Sequence, residues 1–174
     1  SFDIKLSMSI GYGENPYDAN LDAYEAKKSQ KFLNEQYSIF GTLNGHSEHS
    51  VTVMHLDVDD ITSIRKKSMS PYDTSSLMFK IYSRMSEYFL SKNSLTFFMG
   101  GDNFMVVTNS EFKNFAKDFI QMCKDEFQIE LNCGIGTAQT SRNAVSLATK
   151  SLDTIREIRD AGKEKPEIYE LNWF

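Results

Sequence analysis

Two short apolar runs, Leu95–Met99 and Phe104–Thr108, are separated only by Gly100-Gly101-Asp102-Asn103 and flanked on both sides by helical stretches. So brief a connection makes the two runs antiparallel neighbours. Upstream, Pro71 opens a helix predicted over about Tyr72–Ser91, with Leu77, Ile81, Met85, Tyr88 and Phe89 at helical spacing. Downstream, Glu111–Phe127 reads as an amphipathic helix carrying Phe112, Phe115, Phe119 and Ile120. Val51–Val58 is a β-branched, apolar strand ahead of the first helix. A strand through Phe127–Gly136, a helix over about Ser141–Asp160 and a last strand near Ile168–Leu171 complete the chain. The first six of these elements run β-α-β-β-α-β, the split βαβ arrangement. A doubly wound parallel sheet has no place for a hairpin between two helices. The expected class is therefore α+β, a ferredoxin-like domain with an antiparallel sheet.

The strand near residue 130 occurs twice. Phe2, Ile4, Leu6, Ile10 and Gly11 recur as Phe127, Ile129, Leu131, Ile135 and Gly136 at a constant offset of 125. In both places a helical segment with a polar opening follows, at Asn15-Pro16-Tyr17-Asp18 and at Ser141-Arg142-Asn143. Strand, glycine and helix in one order point to duplication. The second copy has a full set of elements before it. Residues 1–49 are accordingly expected to hold the last strand and helix of a first repeat, plus a linker, and 50–174 a complete second repeat. The chain would then begin partway through its first repeat.

Bulk properties narrow the function. With 174 residues, 25% charged and 40% hydrophobic, the chain is an ordinary globular sequence. A net charge of −5, with Arg65-Lys66-Lys67 as its main basic cluster, argues against a nucleic-acid polymer as partner. No apolar run approaches a membrane span, and no signal peptide is expected. Cys123 and Cys133, both in apolar surroundings, are expected to be reduced buried thiols in a cytoplasmic protein.

In the split βαβ topology the first strand lies beside the hairpin. Asp57 ends that strand in His55-Leu56-Asp57-Val58, and Asp102 sits at the hairpin tip, so both carboxylates reach one edge. Mg²⁺ takes one or two carboxylates, with water and phosphate completing its shell. Asp57, Asp102 and the backbone carbonyl of Val58 form such a set, and two or more ions are conceivable. Gly100-Gly101 lets a bulky ligand approach the hairpin backbone. The same two glycines also suit a plain turn with Asp102 as its cap.

A first-strand carboxylate with a Gly-Gly-Asp hairpin resembles the palm-type nucleotide enzymes: nucleotidyl cyclases, GGDEF diguanylate cyclases and GTP cyclohydrolase III. Phe97-Phe98-Met99-Gly100-Gly101-Asp102-Asn103-Phe104-Met105, together with His55-Leu56-Asp57-Val58, Tyr72-Asp73-Thr74 and the Ile129–Gly136 strand, is most similar to the last. That family has two tandem ferredoxin-like repeats. The chain departs from the diguanylate cyclases in three ways. Asn103 replaces the glutamate after Gly-Gly-Asp, Ile61-Thr62 replaces their Phe-Lys, and no Arg-x-x-Asp precedes the hairpin.

The resemblance implies Mg²⁺-dependent hydrolysis of GTP to a formylamino-pyrimidine nucleotide monophosphate with release of phosphate. It implies Asp57 and Asp102 as catalytic metal ligands and Asn103 as a guanine or ribose contact. Phe98, Gly100 and Gly101 would line the nucleotide site. The amides of Asp60, Ile61 and Thr62 would cradle phosphates, and Asp73 would read the guanine N–H groups. Asp73 is equally a helix-start residue favoured by the macrodipole. Asp59 and Asp60 offer either a second metal's ligands or surface acids. His55 is a proton carrier or a packing residue, and His46, Glu48 and His49 are a linker or a zinc-binding loop. Other readings are a nucleotidyl cyclase or oligonucleotide synthase on the same palm, and an inert nucleotide-binding fragment. A truncated first repeat would favour homo-oligomers.

Overall fold

The computed structural model describes residues 5–41, 50–59, 69–109 and 111–173. The chain divides into two compact units, Ser1–Glu48 and His49–Phe174. In the first, strand β1 (Met8–Ile10) is followed by helix α1 (Pro16–Lys28) and two further strands, β2 (Phe32–Asn34) and β3 (Ile39–Gly41). Asn15 caps α1 by accepting from the Asp18 amide at 2.9 Å, and Pro16 fits the first turn, where no amide is needed. β3 lies between the other two, parallel to β1 and antiparallel to β2. Strands of three residues are too short for alternation to register, so β2 and β3 fall inside what the sequence suggests is linker.

The second unit contains β4 (Val51–Val58), α2 (Pro71–Leu90), β5 (Leu95–Gly100), β6 (Asn103–Thr108), α3 (Phe112–Phe127), β7 (Leu131–Ala138), α4 (Ser141–Asp160) and β8 (Ile168–Trp173). The strand order is β5-β6-β4-β7-β8. Each of its first four strands is antiparallel to its neighbours among them, as the split βαβ order requires. β8 pairs parallel to β7, so the sheet is mixed and not the antiparallel one expected. The helix α4 between them supplies the crossover that a parallel pair needs.

Two boundaries also differ. Phe127 closes α3 and packs against the main core, Gln128 ends the helix at φ 56°, and the strand starts only at Leu131. The repeated Phe-x-Ile thus falls on a helix end and a connector in this unit. Glu111 stands before α3 in the left-handed region, at φ 47°, rather than inside it.

Alternation along β4 divides its side chains between two layers. Met54, Leu56 and Val58 join Met78, Ile81, Met85 and Phe89 of α2 and Ala116, Phe119, Ile120 and Cys123 of α3 in the main core. Val53, on the other face, packs with Ala138, Ala144 and Ala148 under α4. His55 and Asp57 share the Val53 face. Gly136 allows α4 to lie close there: a Cβ at this position would overlap the Ala144 carbonyl and the Ala148 amide.

Candidate active site

Asp57 sits at the end of β4, opposite Asn103 of β6 on one side and Asn132 of β7 on the other. Only 5% of the residue is exposed. Its Oδ2 accepts two hydrogen bonds from Arg156 on α4, from Nη2 at 2.7 Å and Nε at 3.1 Å. Asn132 Nδ2 instead donates to Asp59 Oδ1 at 3.1 Å. That leaves Asp57 Oδ1 buried with no hydrogen-bond partner. Burial pushes the Asp57 carboxyl above the ordinary carboxylate range, against the pull of Arg156 and the adjacent Asn132 amide (which is near Asp57 although its hydrogen bond goes to Asp59), and the Asp102 charge adds to the rise.

An orphaned, buried carboxylate oxygen is costly unless something electropositive meets it. Asp57, the nearby Asp102 and the Val58 carbonyl offer hard oxygens of the kind Mg²⁺ takes, so the residues present fit that ion. Among the described residues, no group of three or more His, Cys, Asp and Glu side chains is clustered tightly enough to form a cage.

The hairpin tip holds Gly100 at φ 100° and Gly101 at φ 63°, with nothing within 4 Å of where either Cβ would stand. The tip therefore faces open space. Asp102 is half-buried, and its Oδ1 accepts from Asn103 Nδ2 at 2.9 Å. Beside it, a cleft of about 400 Å³ runs between the start of α2 and the hairpin, lined by Thr74, Ser75 and Phe79 on one wall and Phe98, Gly101 and Asp102 on the other. The Phe98 ring is held by Phe79 at 5.7 Å and Phe104 at 5.6 Å between centroids.

Asp73 does not line the cleft. It completes a capping box, its Oδ2 accepting from the Ser70 hydroxyl at 2.6 Å and the Ser70 amide at 3.2 Å. Asp59 also has protein partners: Arg159 at 3.1 Å on Oδ1, and Lys165 at 3.1 Å on Oδ2. Burial pushes the Asp59 carboxyl up, but the bonds from Asn132 and Lys165 outweigh it and hold it below the usual range. A second cation there would have to displace Arg159 and Lys165. Asp60, Ile61 and Thr62, and His46, Glu48 and His49, lie outside the described residues.

Sequence reasoning missed Arg156, Arg159, Lys165, Asn132 and Thr149. One signal was available for Arg156: it directly follows the apolar stripe Ala148, Leu152, Ile155 of α4, at the edge of the face that meets the sheet. His55 is more than a packing residue. Its ring bonds Thr149 Oγ1 at 3.2 Å and Asn103 Oδ1 at 3.1 Å. Burial lowers its pKa, although the Asn103 bond opposes this.

The family model of GTP cyclohydrolase III matches residues 1–167. The GTP cyclohydrolase III of Methanothermobacter thermautotrophicus is 31% identical over 160 residues, which cover 89% of this chain and 63% of that protein. That of Methanococcus maripaludis strain C5 is 36% identical over 178 residues, covering 98% of this chain and 64% of that protein. The chain thus spans somewhat under two thirds of these relatives' length. Among solved structures, a GGDEF domain from Pseudomonas aeruginosa has a TM-score of 0.55 at 20% identity, covering 71% of this chain and 84% of that one, a likeness of fold alone. The α+β palm fold and a family match along almost the whole sequence lead to one assignment: the chain belongs to the GTP cyclohydrolase III family.

Proposed function

We propose that the protein hydrolyses GTP with Mg²⁺, opening the imidazole ring and releasing phosphate. The observation that carries this reading is the partnerless buried Oδ1 of Asp57, on the strand next to the Gly-Gly-Asp hairpin and its cleft. One water adds at C8 and the C8–N9 bond breaks, leaving the formyl group on N7. Two further waters cleave the two phosphoanhydride bonds, giving the formylamino-pyrimidine nucleotide monophosphate and two phosphates. Asp57, Asp102 and the Val58 carbonyl would hold Mg²⁺, which supplies charge neutralisation at phosphate oxygens and a more acidic water. The cleft admits the base against Phe98, and the bare Gly100-Gly101 backbone lets the nucleotide come close. Asn103 has a donor and an acceptor for guanine or ribose. Asp60, Ile61 and Thr62 donate amides to phosphates, and Asp73, next to the cleft residues Thr74 and Ser75, reads guanine.

Incubation with GTP and Mg²⁺, followed by ultraviolet absorbance, product mass and phosphate release, tests the reading. Loss of the purine band with the formyl carbon retained is the expected result, and Asp102→Ala should abolish turnover while leaving the folded protein intact. The alternative is a cyclase or oligonucleotide synthase on the same palm. Pyrophosphate with a cyclic or linked nucleotide would establish that instead. Binding of GTP without turnover would mark a nucleotide-binding chain.

We also propose that residues 1–49 hold the last strand and helix of a first repeat, plus a linker, with β1 and α1 the counterparts of β7 and α4. Two structural details related by the offset of 125 support this reading. A Cβ on Gly11 would overlap the Ala19 carbonyl and Ala23 amide, as one on Gly136 would overlap those of Ala144 and Ala148. The caps Asn15 and Thr140, each accepting from the amide three residues on, are related by the same offset. Exposed Met8, Tyr24, Phe32 and Tyr37 in this unit support self-association, which sedimentation would detect as a mass above 19.9 kDa.

A further inference from the structure

We propose that His55 is a positioning residue for the Asp102 carboxylate, acting through the side-chain amide of Asn103. This inference rests on the reading of Asp102 as a metal ligand.

The bond directions follow from what each group can do. A carboxylate only accepts, so Asn103 Nδ2 must be the donor to Asp102 Oδ1 at 2.9 Å. This sets the amide with Oδ1 toward His55, 3.1 Å from Nε2, where the ring nitrogen must donate. The neutral ring then has a bare Nδ1, which accepts from the Thr149 hydroxyl at 3.2 Å. The chain runs Thr149 to His55 to Asn103 to Asp102, with every donor directed toward the carboxylate. It links α4, β4 and β6 to the hairpin tip.

The tip needs such a restraint. Gly100 and Gly101 give it no side chains, and the space where theirs would stand is open. Among the described residues, Asn103 is the side chain that hydrogen-bonds the Asp102 carboxylate. Left alone, an amide rotates freely between donor-first and acceptor-first orientations. With His55 Nε2–H presented to it, only the orientation that donates to Asp102 pairs both ends. One carboxylate oxygen is thereby held from behind and the other is left for a cation. Bonds in such a chain also polarise one another, which strengthens the last.

Mn²⁺ binding to the protein without nucleotide, measured by isothermal titration and by the electron paramagnetic resonance of the free ion, tests this. Groups that orient metal ligands typically change affinity by about 10–100-fold. His55→Leu is expected to weaken Mn²⁺ binding by about tenfold. His55→Gln keeps an Nε2–H donor and should stay within about threefold of wild type, since the donor and not the ring is what matters. Thr149→Val, similar in volume and at the far end of the chain, should weaken binding about two- to threefold, as only a polarising partner is lost. Equal losses in His55→Leu and His55→Gln, or no loss in His55→Leu and Thr149→Val while Asp102→Asn weakens binding, would overturn the inference and leave the metal site standing. Equal binding by wild type and Asp102→Asn would overturn the metal-site reading, and this inference with it.

Discussion

Replacing Gly136 by alanine tests the approach of α4 to the sheet, on which the placement of Arg156 and Thr149 depends. The added Cβ would overlap the Ala144 carbonyl, the Ala148 amide and the Leu147 Cβ. Two of these are helix backbone atoms, so no side chain can turn aside and α4 itself must move away from β7. Overpacking of a tight core costs about 1–3 kcal/mol, and a clash with backbone on a fully buried strand falls at the upper end, about 3 kcal/mol. For a domain of 150–250 residues each kcal/mol lowers Tm by roughly 2–4 °C, so the expected drop is about 6–12 °C. Circular dichroism on heating, with calorimetry of the same samples, measures it. Gly101→Ala is the control, because its Cβ meets nothing and only the φ of 63° opposes it, a strain of about 1–2 kcal/mol. A Gly136→Ala protein that melts within about 2 °C of wild type would refute the close-packed interface and the geometry built on it.

Arg156→Met leaves the buried Asp57 carboxylate without its counter-cation. Breaking a fully buried pair costs about 3–5 kcal/mol, but with 34% of the Arg156 side chain exposed, solvent screening brings the expectation to about 1–3 kcal/mol. Added Mg²⁺ should raise the Tm of this variant more than that of wild type, and an equal rise would count against metal at Asp57. Ser70→Ala removes half of the α2 capping box and should cost about 1 kcal/mol, read as a Tm lower by roughly 2–4 °C. If Asp73 reads guanine, Asp73→Asn raises KM for GTP while Ser70→Ala does not; matched effects would make Asp73 a cap alone. Burial pushes the Cys123 thiol up to about 12 and Cys133 higher still. Neither should react with a thiol reagent until the protein unfolds. Their raised values also mean that above the free-thiol value of about 8.5 the unfolded chain loses protons that the folded one keeps. Stability should therefore fall as pH rises from there toward 12, and Cys123→Ala should flatten that slope.

Much of this molecule is local in origin. The β-branched, apolar run Val51–Val58, the helical stripes of α2 and α3 and the Gly-Gly-Asp-Asn turn each depend on a few neighbouring residues, and the sequence alone determined their type and order. It also placed Asp57 and Asp102 at one edge, because strand order and hairpin length leave few topologies. Tertiary structure decided what those carboxylates meet. Arg156 reaches Asp57 only because α4 crosses β7 and lies on the Asp57 face, and Asn103 meets His55 through the register of β4 with β6. The parallel pairing of β8, the helical end at Phe127 and the short strands β2 and β3 were likewise hidden, because packing against distant residues outweighs weak local preference. Periodicity tells which way a side chain faces; only register and helix approach tell which distant group stands opposite it.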